Sequence, residues 1–211
     1  MKRFHPLCEQ FESRMLPTLV FVFNGNAFAE AKPADWTTQL AAAQLTQHGD
    51  QAIQLTTPAM NSPAAFFQLA NEIHSISKGR PIGLMGFSAG GALAMRLAGL
   101  PGLNVKAVMN YYGPPDFRDW LSYHRGDRFF QYVTTHVRVT PGFVRLMSGP
   151  SATQAYVVSA FGLRDQLIVS SMSTASFDRD FPHGQVYYYP GPHGVTLYAC
   201  YPAFQDFLAH L

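Results

Sequence analysis

The chain has 211 residues, 47% of them apolar and only 13% charged, with a formal net charge of +2. That length suits one domain, residues 1–211 as a single unit with a substantial core. So weak a charge leaves no footprint for nucleic acid, and no run approaches the roughly 18 apolar residues of a membrane span. The two cysteines, Cys8 and Cys200, have no metal-ligand spacing and read as free thiols, although a disulfide between them is open on the sequence. The basic start at Lys2 and Arg3 has no apolar run behind it, so no secretory leader is read and a cytoplasmic chain is expected.

The first clear strand is Thr18–Phe23, ended by the turn signal Asn24-Gly25-Asn26. A helix follows over Asp35–Leu45, with Asp35 as N-cap and Gly49 near its end. Ala52–Thr56 reads as a short strand. Ser62-Pro63 then opens a helix that carries Phe66, Leu69, Ile73 and Ile76 at helical spacing and closes at Gly79. Ile82–Phe87 is short and wholly apolar, as a strand covered on both faces should be. Behind it runs Gly91–Ala98, rich in strong helix formers. Val105–Tyr112 is the next strand, stopped by Gly113-Pro114-Pro115.

Residues 116–150 break this rhythm. They interleave aromatic residues with five arginines, Arg118, Arg125, Arg128, Arg138 and Arg145. Alternation then resumes with a strand at Ala155–Phe161, a helix near 167–177 and a strand at Gln185–Tyr189. A last helix carries Phe204, Phe207, Leu208 and Leu211 on one face, with Pro202 in its first turn. Strands repeatedly separated by helices mean an α/β fold, parallel pairing and helices on both faces.

Between the strand Ile82–Phe87 and its helix sits Gly86-Phe87-Ser88-Ala89-Gly90, a G-x-S-x-G sequence. In this strand–turn–helix context the pattern is a nucleophile elbow, which lifts a strained serine above the sheet edge. Side chains at positions 86 and 90 would collide in so sharp a turn. The Ala89 N–H lies beside the serine oxygen at the positive end of a new helix, placed to bind an oxyanion. At these residues the chain resembles the α/β-hydrolase superfamily. That resemblance implies a mostly parallel central sheet, and it implies that the insertion at 116–150 is a small lid or cap. Two extra core helices with no role at the site are the alternative.

A serine hydroxyl needs a base. His193, in Pro192-His193-Gly194 after the last strand, is at a carboxyl edge, where a parallel sheet gathers its site. His183 precedes that strand and belongs at the opposite edge. The imidazole needs an acid. Asp165 follows the strand 155–161 and is the first candidate, as acid, as N-cap of the next helix, or as both. Asp116, after the preceding strand, is the second. The order Ser88, Asp165, His193 matches the superfamily order of nucleophile, acid and base. Relatives carry His-Gly-X after the first strand, with the N–H of X as second oxyanion donor. Here Asn24-Gly25-Asn26 occupies that place, which transfers the role to Asn26 and leaves Asn24 as a loop organiser.

The elbow and the Pro192-His193-Gly194-Val195 loop before a final helix resemble the small dienelactone-hydrolase-like esterases, and are similar to the acyl-thioesterase branch. The dienelactone hydrolases themselves carry cysteine where this chain has Ser88. The expected activity is hydrolysis of a carboxylic ester or thioester, free or carrier-bound, with no cofactor and no metal. An acyltransferase using the same three residues, and a silent binding module, are the alternatives. Phe87, Trp120, Arg118, Arg125 and Arg128 are the candidate substrate-binding residues. One or two of the arginines would meet an anionic group such as a carboxylate or a phosphopantetheine phosphate; the alternative is that the aromatics pack the lid down while the arginines simply face water.

Overall fold

The computed structural model describes residues 16–29, 31–59, 63–194 and 197–211. Among these, six strands form one sheet, β1 (Leu19–Phe23), β2 (Gln51–Gln54), β3 (Ile82–Phe87), β4 (Val105–Tyr111), β5 (Tyr156–Gly162) and β6 (Gln185–Tyr189). Their order is β2-β1-β3-β4-β5-β6 and every pairing is parallel. The chain moves outward from β1 to β2, then returns to lay β3 on the other side of β1. This reversal opens a crevice at the carboxyl ends of β1 and β3, the switch point where open α/β sheets hold ligands.

Strand periodicity divides the core. Leu19, Phe21 and Phe23 of β1 face one layer of helices, where they join Phe66, Leu69 and Ile73 of α2 (Pro63–Ser77) and Leu93 and Leu97 of α3 (Ala89–Leu97). Val20 and Val22, pointing the other way, meet Ala41 and Leu45 of α1 (Trp36–His48) and Phe204 and Phe207 of α8 (Tyr201–Ala209). All five residues of β1 are buried, which explains a strand with no polar alternation.

The helix ends follow local chemistry. Asp35 caps α1 by accepting from the N–H groups of Thr37 and Thr38, and Gly49 ends it in the left-handed region at φ 104°. The cap expected at Ser62 and the thiol of Cys8 lie outside the described residues; Cys200 is a buried free thiol. The helix expected at 167–177 is α7, Ser170–Asp180. It starts late because the Asp165 carboxylate holds the N–H groups of Leu167 and Ile168 at 2.9 Å each, closing a separate turn. Asp165 therefore caps that turn and not α7, whose N-cap is Val169.

Residues 116–150 hold α4 (Phe117–Tyr123), α5 (Arg128–His136) and α6 (Pro141–Leu146). Phe117 and Phe143 set their rings edge-on to each other and to Phe28, at centroid distances of 5.0–5.5 Å. Trp120 stacks on Phe117 at 5.5 Å. Behind them, Arg179 of α7 bridges Asp116 at 2.9 Å and Asp119 at 2.7 Å, tying α4 to α7.

Candidate active site

The turn from β3 into α3 puts Ser88 at φ 52° and ψ −123°, a backbone conformation that non-glycine residues rarely adopt. The surroundings over-determine it. Ser88 donates its N–H to the Tyr111 carbonyl at 2.8 Å, and its own carbonyl accepts from Gly91 and Ala92. A Cβ on Gly86 would lie 2.2 Å from the Gly90 carbonyl carbon, and one on Gly90 would lie 2.5 Å from the Asn24 oxygen. Both positions must be glycine for the turn to close.

A buried asparagine supports the turn from below. Asn110 accepts from the Gly113 N–H at 2.8 Å and donates to Gly113 O and Ser159 Oγ, both at 3.0 Å. It thereby folds the end of β4 back under Ser88. Sequence reasoning missed Asn110, because a polar residue inside a strand carries no sign of what it bonds.

Three carboxyl-edge loops then converge. His193, after β6, places Nε2 3.0 Å from Ser88 Oγ and Nδ1 2.8 Å from Asp165 Oδ2. The Asp165 side chain is fully buried, while that of His193 is 25% exposed. Ser88, His193 and Asp165 thus stand in one hydrogen-bonded line, across sequence separations of 105 and 28 residues. Such a line can carry a proton from the hydroxyl to the imidazole, with the carboxylate stabilising the imidazolium.

Asp116 takes no part in that line. Its Oδ1 caps α4 through the Arg118 and Asp119 N–H groups, and its Oδ2 accepts from Gly149 N–H and Arg179. His183 sits with Phe181 and Gly184 at the amino end of β6, at the opposite edge.

The loop after β1 lies against the nucleophile: a Cβ on Gly25 would sit 2.9 Å from Ser88 Cβ. Asn24 is buried and braces this loop, giving its side-chain amide to Pro33 O at 2.9 Å and its backbone N–H to Thr57 Oγ1 at 2.7 Å. Asn26 accepts from Phe28 N–H at 2.9 Å and donates its amide to Pro58 O at 3.0 Å. Its side chain thus holds the loop. Ala89, the first residue of α3, presents its N–H at that helix's positive end.

Tyr112 was read as the end of a strand. It lies instead just past β4 in the left-handed region, φ 43°, and sets its ring edge against the His193 imidazole with centroids 4.8 Å apart. Burial holds its phenol well above the usual tyrosine pKa, so the ring stays neutral. Phe87 is buried, borders the groove at Ser88 and stacks on Tyr111 at 5.2 Å.

Ser88 borders two cavities. One is a groove of about 450 Å³ whose walls mix polar residues, among them Asn26, Lys32, Asp35 and His193, with the aromatic Trp36, Tyr112 and Tyr132. The other is an apolar pocket of about 40 Å³, walled by Phe28, Phe117, Trp120, Val133 and Ile168. A larger cavity of about 500 Å³, between residues 98–106 and 152–154, lies at the amino ends of β4 and β5, remote from Ser88.

Trp120 lines the apolar pocket, but the three arginines do not line either cavity at Ser88. Arg118 is exposed because it lies two residues, about 200° of helix, from the buried Trp120. Arg125 is also exposed, and Arg128 covers the ring of Phe129 at 4.7 Å. The expectation that these arginines read an anionic acyl group is therefore corrected: apart from Ser88, the described lining of that pocket is apolar.

Residues 18–126, more than half the chain, match the model of the dienelactone hydrolase family. The chain belongs to the dienelactone hydrolase family. A lactone is an internal ester, so membership makes the chain an ester hydrolase. Solved structures of other esterases share this family member's fold. Acetyl xylan esterase 1 from Thermoanaerobacterium sp. JW/SL YS485 superposes with a TM-score of 0.66 at 16% identity, over 94% of this chain and 76% of its own. A carboxylesterase from Lactobacillus plantarum WCFS1 gives 0.66 at 16%, over 90% and 77%. A truncated carbohydrate esterase from gut microbiota gives 0.68 at 19%, over 94% and 87%. No curated protein sequence matches the chain. Among the described residues no group of three or more His, Cys, Asp or Glu side chains is placed to hold a metal ion, and no helix is long and apolar enough to cross a membrane.

Proposed function

We propose that this member of the dienelactone hydrolase family is a serine hydrolase that cleaves carboxylic esters or thioesters through an acyl-enzyme. The observation that carries the reading is the unbroken line from Asp165 Oδ2 to His193 Nδ1 and from His193 Nε2 to Ser88 Oγ, at 2.8 and 3.0 Å. In the first half-reaction Ser88 Oγ bonds to the acyl carbon while its proton passes to His193 Nε2. The tetrahedral oxyanion is met by the N–H groups of Ala89 and Asn26. Collapse breaks the bond to the leaving group, which takes the proton from His193. Water then gives His193 a proton, adds to the acyl carbon and releases the acid, restoring Ser88.

Hydrolysis is favoured over acyl transfer because the groove beside His193 is open and its imidazole is part exposed, so water reaches the acyl-enzyme. The Tyr112 edge and the Asp165 carboxylate together fix the imidazole plane. Residues 116–150 supply the apolar wall of the site through α4 and α5, which is the sense in which they act as a cap.

The test is a fluorophosphonate probe followed by peptide mass mapping. One adduct per chain, on Ser88, with loss of esterase activity is the expected result. Labelling elsewhere, or a folded Ser88→Ala protein that still cleaves p-nitrophenyl acetate, would sink the assignment.

A further inference from the structure

Ser88 stands where a small apolar pocket meets an open groove of mixed polar and aromatic walls, and an ester bond at its hydroxyl can send one half into each. We infer that the substrate is a short-chain acyl ester, of about two to four carbons, of a polyhydroxylated alcohol. This deepens the hydrolase reading and rests on it.

The acyl limit comes from size. The apolar pocket holds about 40 Å³. On that measure one water-sized group takes about 10–15 Å³, so the pocket seats about three. With the carbonyl carbon held at Ser88, room remains for one to three further carbons. The end wall does not yield easily. Trp120 is buried, gives its indole N–H to Leu167 O at 2.8 Å and lies flat on Phe117, with 6° between the planes. A longer chain would have to break that hydrogen bond and move two packed rings.

The alcohol side is read from the groove. Two of its lining residues are large aromatics left in the open, Trp36 at 60% and Tyr132 at 51% exposure. The walls also carry Lys32, Asp35 and Thr37. Flat rings flanked by donors and acceptors suit a molecule whose faces are C–H and whose edges are hydroxyls. An alkyl alcohol would instead strip water from the part-exposed Lys32–Asp35 pair and offer nothing polar in its place. A charged alcohol finds no net attraction, because Lys32 is paired with Asp35 at 3.5 Å.

The experiment measures kcat/KM for p-nitrophenyl esters from two to ten carbons, and KM for 6-O-acetylglucose and ethyl acetate, on protein whose Ser88 labelling by fluorophosphonate is scored in parallel. The inference expects the maximum at two to four carbons, with at least a tenfold fall by eight. Trp120→Ala moves the maximum to longer chains, and Val133→Ala does so by a smaller step if the tryptophan variant does not fold. Trp36→Ala raises KM for 6-O-acetylglucose at least fivefold more than KM for ethyl acetate. A wild-type maximum at six carbons or more overturns the inference. So does an equal effect of Trp36→Ala on both acetates. Those failures would come with Ser88 still labelled, whereas an unlabelled Ser88 and no ester cleavage would instead strike down the hydrolase reading and this inference with it.

Discussion

The Asp165 carboxylate is divided between two tasks, with Oδ2 2.8 Å from His193 Nδ1 and Oδ1 accepting from the N–H groups of Leu167 and Ile168. The backbone bonds point the other oxygen at the imidazole before any substrate arrives. Asp165→Asn keeps the shape but can present an amide N–H where an acceptor is required, which favours the wrong imidazole tautomer. We expect kcat to fall by about 10⁴, the loss seen where the same change is made in a serine protease. Steady-state kinetics on the folded variant checks this. A loss under tenfold would remove Asp165 from the mechanism.

Asp116 provides the contrast. Burial raises its pKa, but the N–H groups of Gly149, Asp119 and Arg118 and the Ser148 hydroxyl outweigh burial and hold it below the ordinary 3.8. A depressed folded pKa contributes stability that is fully present above the unfolded value and is lost as pH falls through the folded one. Asp116→Asn should therefore lower Tm most at neutral pH, with the gap to wild type closing below about pH 4. Because Asp116 makes no contact with His193, the folded variant should keep kcat within about twofold of wild type, near 0.4 kcal/mol of barrier. Melting curves across pH, paired with kinetics at pH 7, separate the two carboxylates.

The elbow glycines are predicted to be intolerant for steric reasons alone. A Cβ on Gly86 would lie 2.2 Å from both the Gly90 carbonyl carbon and oxygen, backbone that cannot rotate away. Gly86→Ala should cost on the order of 1–3 kcal/mol or more, a Tm loss of at least about 2–4 °C per kcal/mol in a chain of this size, and displace Ser88. Unchanged melting and activity would mean that the turn is looser than described.

Tyr112 offers a test of positioning. Its ring edge backs His193 at 4.8 Å. Removing the ring in Tyr112→Ala should lower kcat about tenfold, or ~1.4 kcal/mol, and slow fluorophosphonate labelling in parallel while KM changes little. A change confined to KM would place Tyr112 in substrate binding instead.

The strand and helix order, the elbow and the final helix were all legible in the sequence, because each is written in local signals. An unbroken apolar run means a strand covered on both faces, and a glycine on either side of Ser88 means a turn with no room for Cβ. Even His193 was legible by position, since parallel strands all deliver their following loops to one edge.

What the sequence left open were choices between equivalents. Asp116 and Asp165 both follow a strand and precede a helix. Only the packing of α7 against α4, through Arg179, turns one toward a structural ion pair and leaves the other facing His193. The arginines of 116–150 looked like anion readers beside the aromatics, but helical rotation sends Arg118 outward from the face that buries Trp120. The apolar pocket, the exposed Trp36 and Tyr132, and the ring of Tyr112 behind the histidine come from segments far apart in the chain. No local pattern encodes such meetings. The sheet order and the register of its strands decide them, and with them which parts of an ester the site can hold.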